Sequence, residues 1–195
     1  MSIQKTRILF ESGSFKLVSS LHAPPGLENL ILQTRWRSSF FEYTLLHASE
    51  RINEAPSLVH YSLYAGARLI GNISFLLRET TIQAQSIPCA YVRYFVFRKA
   101  FQANSKHALK KRTNGFLHQA VNLVFEDVKK LNSQTNRLIY GYIDINNAPS
   151  LHQGLNQGFQ LLKSFKTLLF FCHKPKPQMG VRIAGPTENH SLKIC

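Results

Sequence analysis

Apolar residues fall along this chain in two rhythms. Phe116, Leu117, Ala120, Val121, Val124, Phe125, Val128 and Leu131 recur at spacings of three and four, the period of one helix face. They predict the clearest helix of the chain, starting near Asn114, and Lys129 and Lys130 suit its negative end. Ser57 to Tyr64 and Leu69 to Leu77 are strand-like runs joined by Ala65 to Arg68, the composition of a hairpin with a four-residue connection. Cys89 to Phe97 follows as a third strand, so an antiparallel meander is expected. Side chains alternate along a regular strand, which puts Tyr91, Arg93, Phe95 and Phe97 on one side and Val92, Tyr94 and Val96 on the other.

The flanking segments are read the same way. Arg7 to Leu21 suits a first strand or hairpin, stopped by Pro24, Pro25 and Gly26. Leu27 to Ala48 carries roughly helical spacing and predicts one or two helices. Leu138 to Ile145 is β-branched and aromatic, hence a strand; Asn147 is an N-cap, Ala148 to Asn156 a short helix and Gly158 its left-handed stop. Gln160 to Cys172 supplies a final strand or strand pair. This order implies a mixed α/β (α+β) fold whose mostly antiparallel sheet contains at least one parallel crossover. Residues 1–175 are expected to form a single domain and residues 176–195 a C-terminal tail.

Composition narrows the partners. With 24 Lys and Arg against 10 Asp and Glu the formal charge is +14, so a large partner is anionic: nucleotide phosphates, nucleic acid or an acidic membrane. Only Lys106 to Arg112 looks clustered; the rest of the charge is spread, as in a protein that is merely basic. Three distant cysteines without CxxC, and eight histidines without ligand spacing, support neither a disulfide framework nor a metal site. The N-terminus has no apolar run long enough for a signal peptide, and no stretch approaches the roughly 18 apolar residues of a membrane span. A soluble, cytoplasmic protein is expected, with no metal; its oligomeric state is open.

Candidate chemistry begins before the long helix. Arg112, Thr113, Asn114 and Gly115 make a basic, glycine-containing turn whose backbone N–H groups and positive helix end suit an anion. Lys106, His107, Lys110 and Lys111 stand just upstream. The alternative reading is an ordinary helix cap beside a solvated lysine loop. Arg112-x-x-Gly115-x-Leu117 resembles the Arg/Gln-x-x-Gly-x-Gly/Ala signature of the GNAT superfamily of acyl-coenzyme A N-acyltransferases, departing at the third position. Asn147, Ser150 and Gly158-Phe159 are similar to the family's later motif, and the resemblance spans about Ser57 to Phe171.

The resemblance implies a GNAT fold that uses acetyl-CoA or another acyl-CoA to acylate an amine. Pantetheine would lie between two splayed strands and pair with the backbone near Phe95, Val96 and Phe97. The backbone at Thr113, Asn114, Gly115, Phe116 and Leu117, with Arg112, would cradle the pyrophosphate, and Asn147 and Ser150 would contact cofactor or acceptor. Two positions depart from the family. Its frequent Tyr, which protonates the leaving thiolate, is replaced by Gly154, and its frequent strand Glu, the base, by Arg93. Asp144 and Tyr94 are the candidate catalytic residues, with Tyr142 and His152 behind them. Arg93 and Tyr142 are candidate acceptor contacts, Arg93 favouring a carboxylate or phosphate on the acceptor. The rival readings are a GNAT fold that binds acyl-CoA without turnover, and a basic module for nucleic acid or acidic membrane.

Overall fold

The structure is a computed structural model that describes residues 6–37, 42–45, 47–53, 58–101, 109–131, 138–143 and 147–161. Strands β1 (Thr6–Ser12) and β2 (Phe15–Ser20) form the opening hairpin, turning at Gly13 with φ +58°. Helix α1 (Leu27–Leu32), the two-residue strands β3 (Trp36–Arg37) and β4 (Glu42–Tyr43), and helix α2 (Ala48–Asn53) follow. Strands β5 (Leu58–Ala65), β6 (Arg68–Ile82) and β7 (Gln85–Phe97) make the antiparallel meander. Helix α3 (Leu109–Lys130) then crosses over to β8 (Leu138–Tyr140), which lies parallel to β7, and α4 (Ala148–Asn156) comes last. The main sheet has the order β1-β2-β5-β6-β7-β8. Residues Met1–Gln160 form one compact unit and Leu161–Cys195 a second. The expected final strand and tail lie outside the described residues, Gln160 and Leu161 aside.

One face of the sheet is covered by α3. Ala120, Val121, Val124, Phe125 and Val128, the stripe read from spacing, pack on Leu17, Val59, Tyr61, Leu63, Ile73 and Phe75. Burial of such apolar side chains is the main stabilising term, about 1.5–3 kcal/mol for each large one. Rings lock the layers together: Phe116 stacks on Phe15 at 4.7 Å, and Phe125 meets Phe75 at 5.8 Å and Phe159 at 5.3 Å. The polar exception is Asp127, which accepts from Tyr61 Oη at 2.8 Å and pairs with Arg7. Burial, then the Asp127 charge, pushes the Tyr61 phenol far above its usual range.

The opposite face carries α1 and α2. Leu27, Leu30, Ile31, Ala48 and Ile52 close over Leu58, Leu69, Tyr94 and Val96. Helix α1 is shorter than the apolar spacing predicts, because Thr34 turns its hydroxyl onto Leu30 O at 2.7 Å and the chain becomes extended.

Three other boundaries differ from the sequence reading. The β5–β6 connection is Gly66–Ala67, with Gly66 at φ +58°. The next hairpin reaches well beyond the apolar runs, turning at Gln83 and Ala84, both at positive φ. Its polar Thr80 and Thr81 are still good strand residues, since the branched side chain fits a pleated surface. Helix α3 begins at Leu109 rather than near Asn114. Leu109, Lys110, Lys111 and Arg112 are all strong helix formers and nothing among them breaks the helix.

Candidate functional site

Strands β7 and β8 share only a short stretch. Cys89, Ala90 and Tyr91 pair with Leu138, Ile139 and Tyr140. Beyond that register β7 runs on to Phe97, whereas β8 ends and Gly141, Tyr142 and Ile143 are not in a strand. Gly141 permits the close approach just before the parting: a Cβ there would lie 3.3 Å from Val92 Cβ. Tyr142 is 63% exposed and Ile143 44%. Past Tyr91 the β7 edge therefore lacks a β8 partner among the described residues, and this notch in the pairing is the wedge at which the expected site would lie.

Along the β7 side of this wedge, regular alternation fails. Ser74 pairs with Arg93 and Asn72 with Val96, so β7 carries one extra residue, and Tyr94 adopts φ +47°. This is a β-bulge, which re-aims the side chains around it. The expected alternation is corrected accordingly. Val92, Phe95 and Phe97 all pack in the α3 core, whereas Tyr94 and Val96 pack under α1. Arg93 shares the face of Tyr94, its guanidinium 5.1 Å from the ring centroid. Phe97 lies over Gly71, where a Cβ would sit 2.3 Å from the ring. The side chains of Phe95, Val96 and Phe97 are thus committed to cores, and what they present to the wedge is backbone.

On the α1 face, at the apex of the wedge, lies an aromatic and cationic cluster. Tyr91 stacks on Tyr140 at 5.2 Å and meets Tyr142 edge-on at 5.5 Å. Arg78, from β6, lies over both Tyr91 and Tyr140, at 5.8 and 5.2 Å from their centroids. Burial raises the Tyr91 phenol above its usual pKa; the charge of Arg93 pulls it back, Tyr142 adds to the rise, and Arg78 opposes it. Tyr140 Oη is buried without a hydrogen-bond partner among the described residues. Arg93 and Tyr142 each stand two residues past the last paired position, so the two expected acceptor contacts flank the wedge on one face.

A buried polar line runs beneath α1 from the centre of the sheet toward Arg93. Ser62 Oγ donates to Asn72 Oδ1 at 3.1 Å, Asn72 Nδ2 to Ser74 Oγ at 2.8 Å, and Ser74 Oγ meets His60 Nδ1 at 2.9 Å. Ser74 Oγ, with one proton and a second lone pair still to place, can pair with either neutral tautomer of His60. Burial, with a smaller contribution from His22, lowers the His60 pKa to about 4.

The residues expected at the pyrophosphate stand in a different local structure. Arg112, Thr113, Asn114, Gly115, Phe116 and Leu117 lie within α3, not in a turn before it. From Thr113 onward the amides have helical carbonyls four residues earlier to bond. The side chains of Arg112, Thr113 and Asn114 are outside the described residues. Phe116 and Leu117 pack into the α3 core, and Gly115 is exposed, with nothing within 4 Å of where a Cβ would stand. At the other motif Asn147 caps α4, accepting from Ser150 N at 3.3 Å, and Gly158 ends the helix at φ +83°. A Cβ at Gly154 would lie 3.4 Å from Ile143 Cδ1. Asp144 lies outside the described residues.

Sequence reasoning missed Arg78, Tyr140, and the line from His60 to Ser62. For the line a signal existed: polar residues two apart in both strands of an otherwise apolar hairpin share one face. Arg78 had none, since a lone arginine in a polar run looks solvated. Among the described residues no helix is long and apolar enough to cross a membrane, and no group of side chains could hold a metal ion.

No family model matches the chain, and no curated protein matches it. Among solved structures it is similar to a transcriptional regulator from Bacillus halodurans C-125, at 12% identity over 79% of this chain and 99% of that one, with a TM-score of 0.56. It is also similar to an acetyltransferase of Trypanosoma brucei, at 12% identity, 85% and 98% coverage and a TM-score of 0.49. A third is glucosamine-6-phosphate N-acetyltransferase from Arabidopsis thaliana, at 12% identity, 82% and 99% coverage and a TM-score of 0.49. Identities this low speak to fold. The fold shared with the first of these structures, a meander followed by a parallel crossover through one long helix, has the mixed α/β arrangement that the motif resemblance implied.

Proposed function

We propose that the protein is an acyl-CoA-dependent N-acyltransferase, most simply an acetyltransferase, working by direct attack of an amine on the bound thioester. The observation that carries this reading is the wedge. Its β7 wall presents backbone at Phe95, Val96 and Phe97, and pantetheine amides would pair with it as an added strand does. The α3 N-terminus supplies amides at Leu109 to Arg112 and the positive end of a helix dipole for the pyrophosphate. Arg112 and Gly115, one turn further on, would flank it, and Asn147 and Ser150 would stand on the far side of the wedge.

Direct transfer needs an amine held against the thioester carbonyl, a base for its proton and a donor for the departing sulfur. Arg93 and Tyr142 flank the wedge and would hold the acceptor. Asp144 is the base in this reading. Tyr94, with its ring packed under α1, positions Arg93, and its hydroxyl is the candidate donor. A second reading, acyl-CoA binding without turnover, is favoured by Gly154, which leaves α4 no hydroxyl where the family's donor stands.

Calorimetric titration with acetyl-CoA and with CoA tests the reading. Micromolar binding is expected, weakened about tenfold by Arg112→Ala through loss of a charge-assisted contact. A folded protein that binds neither ligand overturns it. Single-turnover acyl transfer to a panel of amines separates the two readings, because the binding-only protein transfers none.

A further inference from the structure

Resting on the acyltransferase reading, we propose that Arg78, Tyr91, Tyr140, Tyr142 and Arg93 form an acceptor subsite for an anionic oxygen group, so that the acceptor is a phosphate- or carboxylate-bearing amine. Arg78 is the anchoring cation. It comes from β6, outside every motif, and lies over the rings of Tyr91 and Tyr140. A guanidinium lying over ring faces keeps its N–H edge for a planar anion. Arg93 stands two residues further along β7 than Tyr91, its guanidinium 5.1 Å from the Tyr94 ring centroid.

The counter-charge does not come from the described protein. Neither Arg78 nor Arg93 has an ion pair among the described residues, and Glu79, next to Arg78, is engaged by Ser86 Oγ at 2.8 Å. Tyr140 Oη, buried and without a partner among the described residues, is a donor that an incoming oxyanion would satisfy, and a buried polar group left unpaired is costly. The Arg78 cation lying over two tyrosine rings, the unpartnered Tyr140 hydroxyl and Arg93 further along β7 all suit one ligand chemistry. The overall charge of +14 draws such an acceptor in.

Calorimetry of the full chain without acyl-CoA, using phosphoethanolamine, β-alanine and ethanolamine, tests the subsite. Phosphoethanolamine or β-alanine is expected to bind at least about tenfold more tightly than ethanolamine, and Arg78→Gln to remove that preference. Which of the two anions binds more tightly separates a phosphate from a carboxylate. Arg78→Lys, which keeps the charge without the planar fork, is expected to recover only part of the binding. Equal binding of all three amines, no binding of either anion, or an unchanged preference in Arg78→Gln overturns the proposal. The acetyl-CoA titration is a separate readout: its failure overturns the acyltransfer reading and leaves the anion site standing.

Discussion

The two faces of the central sheet use the same strands to opposite ends. Toward α3, β5 and β6 present Val59, Tyr61, Leu63, Ile73 and Phe75, an almost wholly apolar layer. Toward α1 the intervening positions are His60, Ser62, Asn72 and Ser74, all buried and joined in one hydrogen-bonded line. The first face is fixed by volume, the second by direction, since each member of the line must point the right way to satisfy its neighbour. Both arginines of the cluster stand on the second face. Apolar burial is concentrated on the first face and buried polarity on the second.

Three perturbations sharpen that contrast. The largest effect is expected on the apolar face: Phe75→Ala removes a fully buried ring that touches Tyr61 and Phe125 and is expected to cost about 3–5 kcal/mol in urea unfolding. A loss below about 1 kcal/mol would mean the α3 layer is not the stabilising one.

On the polar face, the response is to acid. The folded protein holds His60 at a pKa of about 4 against 6.5 for the free side chain, so it resists a proton that the unfolded chain accepts. The His60 contribution is complete above the unfolded value, declines as pH falls through 6.5 toward 4, and levels off below. Between pH 7 and pH 5 the wild type is expected to lose about 2 kcal/mol more stability than His60→Gln. Parallel pH profiles for the two proteins would remove His60 from the account.

The smallest of the three lies where the faces meet the bulged strand. Gly71→Ala places a methyl against the Phe97 ring and is expected to cost about 1–3 kcal/mol. Adding Phe97→Leu recovers part of that, which a thermal melt of the double variant measures. If the single variant melts with the wild type, Phe97 has room to move.

What could be read from the sequence was whatever repeats. The stripe from Phe116 to Leu131, the capping Asn147 and the stop at Gly158 each leave a local signature, and the meander follows from runs of strand formers. The bulge at Tyr94 leaves none. No glycine marks it, and a tyrosine at positive φ is held there by packing under α1 rather than by its own preference. The same is true of the start of α3: a run of good helix formers without a cap says that a helix fits but not where it begins. The wedge itself was expected from resemblance, not spacing, and Arg78 reaches the Tyr91 and Tyr140 rings only because β6 and β7 extend far beyond their apolar runs.

The tie between Arg7 and Asp127 bears on how the molecule assembles. Its partners stand 120 residues apart in sequence, so it can close only after the meander has formed and α3 has docked on it. Among the described residues β1 is an edge strand, and Ile8 on it is half exposed. Its pairing with β2 is local, so the Arg7–Asp127 tie is what fastens that edge to a helix from the far half of the chain.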